Sequence, residues 1–132
     1  MTARKFSILI VDTDKNNQEL MHSALLKKER MIYAAYSSEE AAAIASEQLV
    51  DIIILDIGAS KQGWSDFMNI KSKRHKGPNI PVFMLSSNDT LQTKLLSYVR
   101  GAKRFFPKPV DIEELSKEIE KYEIKNMKEA IA

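Results

Sequence analysis

The stretch Asp51-Ile52-Ile53-Ile54-Leu55-Asp56 decides the fold. Its three isoleucines are β-branched and favour a strand. A run with no polar alternation belongs to a strand covered on both faces, as in parallel sheets flanked by helices. The Asp56 carboxylate then stands at the carboxyl rim of the sheet, where open α/β folds gather ligand and catalytic groups.

Working outward, four more strand-length apolar segments follow the same logic: Phe6–Val11, Met31–Ala35, Ile80–Leu85 and Lys103–Phe106. Helical patterns separate them. Asp14 can cap a first helix with Leu20, Met21, Ala24 and Leu25 toward the core. Ser37 and Glu40 form a capping box for a second, packed through Ala41, Ala42, Ile44 and Ala45. Trp64, Phe67, Met68 and Ile70 mark a third, stopped by Gly77-Pro78. Asp89 can cap a fourth, with Leu91, Leu95 and Val99 in phase and Gly101 ending it. Asp111 and Glu114 open a fifth, carrying Leu115, Ile119 and Tyr122. Strict alternation predicts an α/β fold, a five-stranded parallel sheet in the order 2-1-3-4-5, doubly wound with helices on both faces. The switch point then falls between the first and third strands, bringing Asp12 toward Asp56.

The 132 residues suit one domain over 1–132, with a core from about 6 to 122 and a charged helical extension over 123–132. An apolar content of 44% and a charged content of 29% are those of a soluble globular protein. A net charge of +2 gives no reason to expect nucleic acid or an anionic membrane. No cysteine is present, so disulfides and thiolate metal sites are excluded, which suits the cytoplasm. The basic start Met1-Thr2-Ala3-Arg4-Lys5 leads only into the short apolar stretch Ile8–Val11, too brief for a signal peptide core or a membrane span.

Three strand ends supply neighbours for Asp56: Asp12-Thr13-Asp14, Ser86-Ser87 and Lys108-Pro109. Acids, a hydroxyl and a lysine together suit phosphoryl transfer. A carboxylate attacking an anionic phosphoryl donor needs its repulsion offset, usually by Mg²⁺ on carboxylates, a carbonyl and water. Lysine and a hydroxyl then serve further phosphoryl oxygens.

With those residues placed, the chain resembles the receiver domain of two-component response regulators. The resemblance is carried by Ile8-Leu9-Ile10-Val11-Asp12, Ile54-Leu55-Asp56, Pro81-Val82-Phe83-Met84-Leu85-Ser86-Ser87, and Gly101-Ala102 with Pro107-Lys108-Pro109. It runs from about Phe6 to Tyr122 and implies a flavodoxin-like (βα)5 sandwich. It makes Asp56 the residue phosphorylated by a histidine kinase or phosphotransfer protein. Asp12, Asp56 and the Gly58 carbonyl would hold Mg²⁺, while Ser86 and Lys108 would serve the phosphoryl group. Phe105 takes the aromatic switch position, and the Lys108–Pro109 bond is expected to be cis. The surface of the fourth helix, fifth strand and fifth helix would control a downstream effector or output domain, and a homodimer could form through it. Beyond autocatalytic phosphoryl transfer and self-dephosphorylation, the resemblance implies no enzyme.

The chain also departs from the pattern. Thr13 stands where the family has a second, metal-binding acid. Asp14 is one residue out of phase, and helix capping competes for it. Ser60 replaces the usual proline in the loop Gly58–Gly63, Phe105 replaces the commoner tyrosine, and Pro107 precedes the lysine. Weak Mg²⁺ binding and slow phosphorylation, or a dedicated kinase, are therefore expected. The alternative is a pseudo-receiver, an interaction module working without phosphorylation. A flavodoxin or cobalamin domain on the same sheet is disfavoured. No glycine follows the first strand to cradle a phosphate, and no histidine follows Asp56 to ligate cobalt. His22 and His75 fall away from the strand ends. The cluster Lys71, Lys73, Arg74, His75 and Lys76 reads as complementing a helix C-terminus, and Trp64 as a packing residue.

Overall fold

The computed structural model describes residues 4–56 and 80–131, with side chains as far as 129. The strands are β1 (Phe6–Val11), β2 (Arg30–Ala35), β3 (Ile52–Asp56), β4 (Val82–Ser86) and β5 (Arg104–Pro107). The described helices are α1 (Lys15–Leu25), α2 (Ser38–Glu47), α3 (Leu91–Val99) and α4 (Ile112–Ile131). Thus α3 and α4 correspond to the fourth and fifth helical patterns. The expected third helix, Gly58 and its loop, Trp64, His75 and the basic cluster lie outside the described residues.

All five strands are parallel in the order β2-β1-β3-β4-β5. Strand alternation divides the core in two. Leu9, Val11, Ile53, Leu55, Val82, Met84 and Phe105 form one layer with Ala41 and Ala45 of α2. The intervening Ile8, Ile10, Ile52, Ile54, Phe83, Leu85 and Phe106 form the other, with Leu25 of α1 and Leu115 and Ile119 of α4. Ile52 to Leu55 are wholly buried. At about 1.5–3 kcal/mol for each such side chain, these four residues anchor both layers.

Local signals set the helix ends. Asp14 accepts from the Asn17 N–H at 2.9 Å, and Ser37 from that of Glu40 at 3.2 Å. Glu40 closes the box one residue upstream, on the Tyr36 N–H. Gly101 ends α3 at φ 108°, a left-handed position that favours glycine. Asp111 accepts from the Glu114 N–H, and α4 then runs unbroken to Ile131.

Three helix faces differ from expectation. α1 rests on the sheet through Gln18, Met21 and Leu25, while Leu20 and Ala24 stay exposed. In α2, Ala41 and Ala45 meet the sheet and Ala42 does not. α3 is capped by Thr90 rather than Asp89 and buries Ser97. At about 100° per residue, Leu95 and Val99 stand about 160° from Ser97. Leu91, Leu95 and Val99 are accordingly 71%, 55% and 81% exposed.

Candidate functional site

The site begins with strand ends. Val11 pairs with Leu55 across β1 and β3, so Asp12, one step on, comes beside Asp56. Asp56 is the last residue of β3, not the first beyond it, and pairs with Leu85. Its backbone is therefore held by the sheet. Ser86 likewise ends β4 within the ladder, opposite Pro107. The Lys108 N–H donates to the Ser86 carbonyl at 2.9 Å, and the Lys108–Pro109 peptide is cis.

Strand alternation points Asp12, Asp56 and Lys108 to one face, that of α1 and α4. There they line a cleft of about 460 Å³ whose apolar wall includes Leu20, Met21 and Val110. Lys108 Nζ and Asp56 Oδ2 form an ion pair, with the two side chains 29% and 13% exposed. Asp12 is buried, and its Oδ1 accepts from the Asp14 N–H at 2.9 Å. That bond orients the carboxylate within its own turn.

The remaining candidates stand apart. Ser86 is buried on the face of Val82 and Met84, and its Oγ accepts from the Asn88 N–H at 3.0 Å. Thr13 is exposed. Asp14 caps α1, its Oδ1 accepting from the Asn17 N–H. Phe105 is buried in the core layer of α2. Gly58 lies outside the described residues. Among the described residues, no three His, Cys, Asp or Glu come together as a metal-holding group. Asp12 and Asp56 are a two-carboxylate set, which fits a hard cation that keeps much of its water.

Gln18 is the residue that sequence reasoning missed. It is 3% exposed, and its Nε2 donates to the carbonyls of Ile10 (3.0 Å), Asp12 (3.2 Å) and Ala35 (2.8 Å). It ties the ends of β1 and β2 together directly behind Asp12. Its Oε1 is buried without a protein partner. A polar residue in an apolar helix phase was the available signal.

Among the described residues, no helix is long and apolar enough to cross a membrane. Residues 8–120 match the response regulator receiver domain model. The transcriptional regulatory protein ZraR of Salmonella typhimurium is 24% identical over 121 residues, 92% of this chain. The chain spans 27% of that relative's length. The Francisella response regulator 1452 receiver domain superposes with a TM-score of 0.78 at 20% identity, covering 92% of this chain and 99% of that one. A two-component response regulator from Clostridium difficile gives 0.78 at 25%, covering 93% and 98%. With this fold, and with a family match over most of its length, the chain belongs to the response regulator receiver domain family, whose members are regulatory modules of two-component signalling rather than classical enzymes.

Proposed function

We propose that this receiver accepts a phosphoryl group on Asp56 from a histidine kinase or phosphotransfer protein and relays the change to a partner or output domain. The observation that carries this reading is the Lys108–Asp56 ion pair beside Asp12 at the rim of the switch point. Lys108 pairs with the Asp56 carboxylate, the group that would act as nucleophile, and is placed to take a phosphoryl oxygen once the carboxylate is modified. Asp12 and Asp56, with the Gly58 carbonyl, would hold Mg²⁺, which when bound neutralises the donor's charge. The Ser86 hydroxyl reaches the same group by leaving the Asn88 N–H, drawing its loop inward.

One observation favours the pseudo-receiver reading. Asp14 is committed to the α1 cap, so the metal set lacks a third carboxylate. Intact mass after incubation with acetyl phosphate and Mg²⁺ separates the two readings. A gain of about 80 Da, one phosphoryl group, that Asp56→Ala abolishes is expected. No adduct with excess donor would favour the interaction module. Because one anionic ligand is missing, Thr13→Asp is expected to tighten Mg²⁺ about tenfold in a calorimetric titration. An unchanged affinity would show that water or another group already fills the role.

A further inference from the structure

β5 is an edge strand, so one row of its backbone groups faces away from β4. The Lys108 N–H points to β4, on Ser86. By alternation that of Phe106 does too, the Lys103 N–H reaches the Val82 carbonyl at 2.9 Å, and the Phe105 N–H turns to the free edge. That N–H does not go to water. It donates to the Tyr98 hydroxyl of α3 at 3.2 Å.

Tyr98 is otherwise 45% exposed. Ser97, the buried contact of α3, spends its Oγ inside the helix on the Lys94 carbonyl at 2.7 Å. The Tyr98 hydroxyl accepts this hydrogen bond across from α3 to the neighbouring strand. It also belongs to a wider tie. Burial works against the Arg104 charge, but Glu118 and then Tyr98 hold its guanidinium more firmly protonated than usual. Arg104 pairs with Glu118 and with Glu114 of α4, and lies 5.1 Å over the Phe106 ring. One edge strand is thus bound to a helix on each side through adjacent residues.

We propose that Tyr98 is a positioning residue, a latch that fixes α3 on the free edge of β5 and opens when the Asp56 site is charged. Phe105 has the ring but no hydroxyl and is sealed in the core. The hydroxyl on this edge comes from the helix instead. The latch orients the outward stripe Leu91, Leu95 and Val99, and its opening lets that stripe turn. The opening step rests on phosphorylation of Asp56 as read above; the latch itself does not.

Residue-resolved amide exchange tests both halves. In unmodified protein, Tyr98→Phe removes one oxygen from a half-exposed ring. Exchange at Phe105 is expected to accelerate about tenfold, a typical net hydrogen bond, with Phe106 unchanged. Equal rates at Phe105 in the two proteins, or acceleration spread uniformly over the sheet, would overturn the latch. Wild-type protein treated with acetyl phosphate and Mg²⁺ is expected to lose protection at Phe105 toward the Tyr98→Phe level. An adduct on Asp56 with Phe105 still protected would overturn the opening step. If intact mass shows no adduct, phosphorylation itself fails, and the Tyr98→Phe comparison still judges the latch.

Discussion

Asp51 and Asp56 bracket one strand, yet they are used in opposite ways. Asp51 is bound by Arg4 at 2.5 and 2.8 Å, by the Ser7 N–H at 2.8 Å and by Asn126 Nδ2 at 2.9 Å, with its side chain 8% exposed. It fastens the start of β3 to the N-terminal segment and to α4. Nearby, Arg30 is buried and grips Glu123 of α4 through two bonds, at 3.1 and 2.7 Å, while donating to the Leu25 carbonyl. At the other rim Asp56 meets a partly exposed lysine and opens on a cleft. A saturated carboxylate is a fastener. A carboxylate that lines a cleft beside a partly exposed lysine is placed to react.

The largest test of this contrast is stability. Asp51→Ala takes the acceptor from the Ser7 N–H and from Asn126 Nδ2, at about 1–3 kcal/mol for a buried donor left unsatisfied, so it is expected to lower the urea midpoint. Asp56→Ala leaves Lys108 free to reach solvent and should change stability by less than about 1 kcal/mol. Equal losses in the two variants would break the contrast. A smaller effect is expected with pH. The Lys121 hydrogen bond, opposed by burial and helped by Arg104, holds the Glu118 carboxyl below its ordinary range. A lowered folded pKa contributes stability above the unfolded value that is lost as pH falls through the folded one. Acid titration should therefore show a loss of stability below the ordinary carboxylate range that shrinks in Glu118→Gln. A loss of the same size in that variant would assign it to other carboxylates.

The fold was legible because its deciding run has one physical solution. Ile52 to Leu55 cannot be exposed on either face without large cost, and that dictates a central strand with helices on both sides. The caps at Asp14 and Ser37 and the stop at Gly101 were equally plain, because each answers a local backbone need. The face of α3 was not legible. Periodicity announces an apolar stripe on Leu91, Leu95 and Val99 but not which side the sheet will take, and small Ser97 won the contact. Gln18 escaped because its value depends on three carbonyls from two strands that converge only after folding. Asp51 read as a strand start, since its partners Arg4 and Asn126 lie 47 and 75 residues away. The carboxylate and lysine of the candidate site and the Asp14 cap could be named in advance; the engagement of Ser86 with Asn88 could not.

The full burial of β3 has a mechanical consequence. Hydrogen-bonded on both edges and packed on both faces, this strand is a tightly held member of the sheet, and Asp56 is its final residue. A stiff mount does not absorb a new force; it passes it on. Charge added there would be accommodated by the compliant parts around it, the lysine stem and the Ser86–Asn88 turn. Displacement would then surface some distance from where the load is applied.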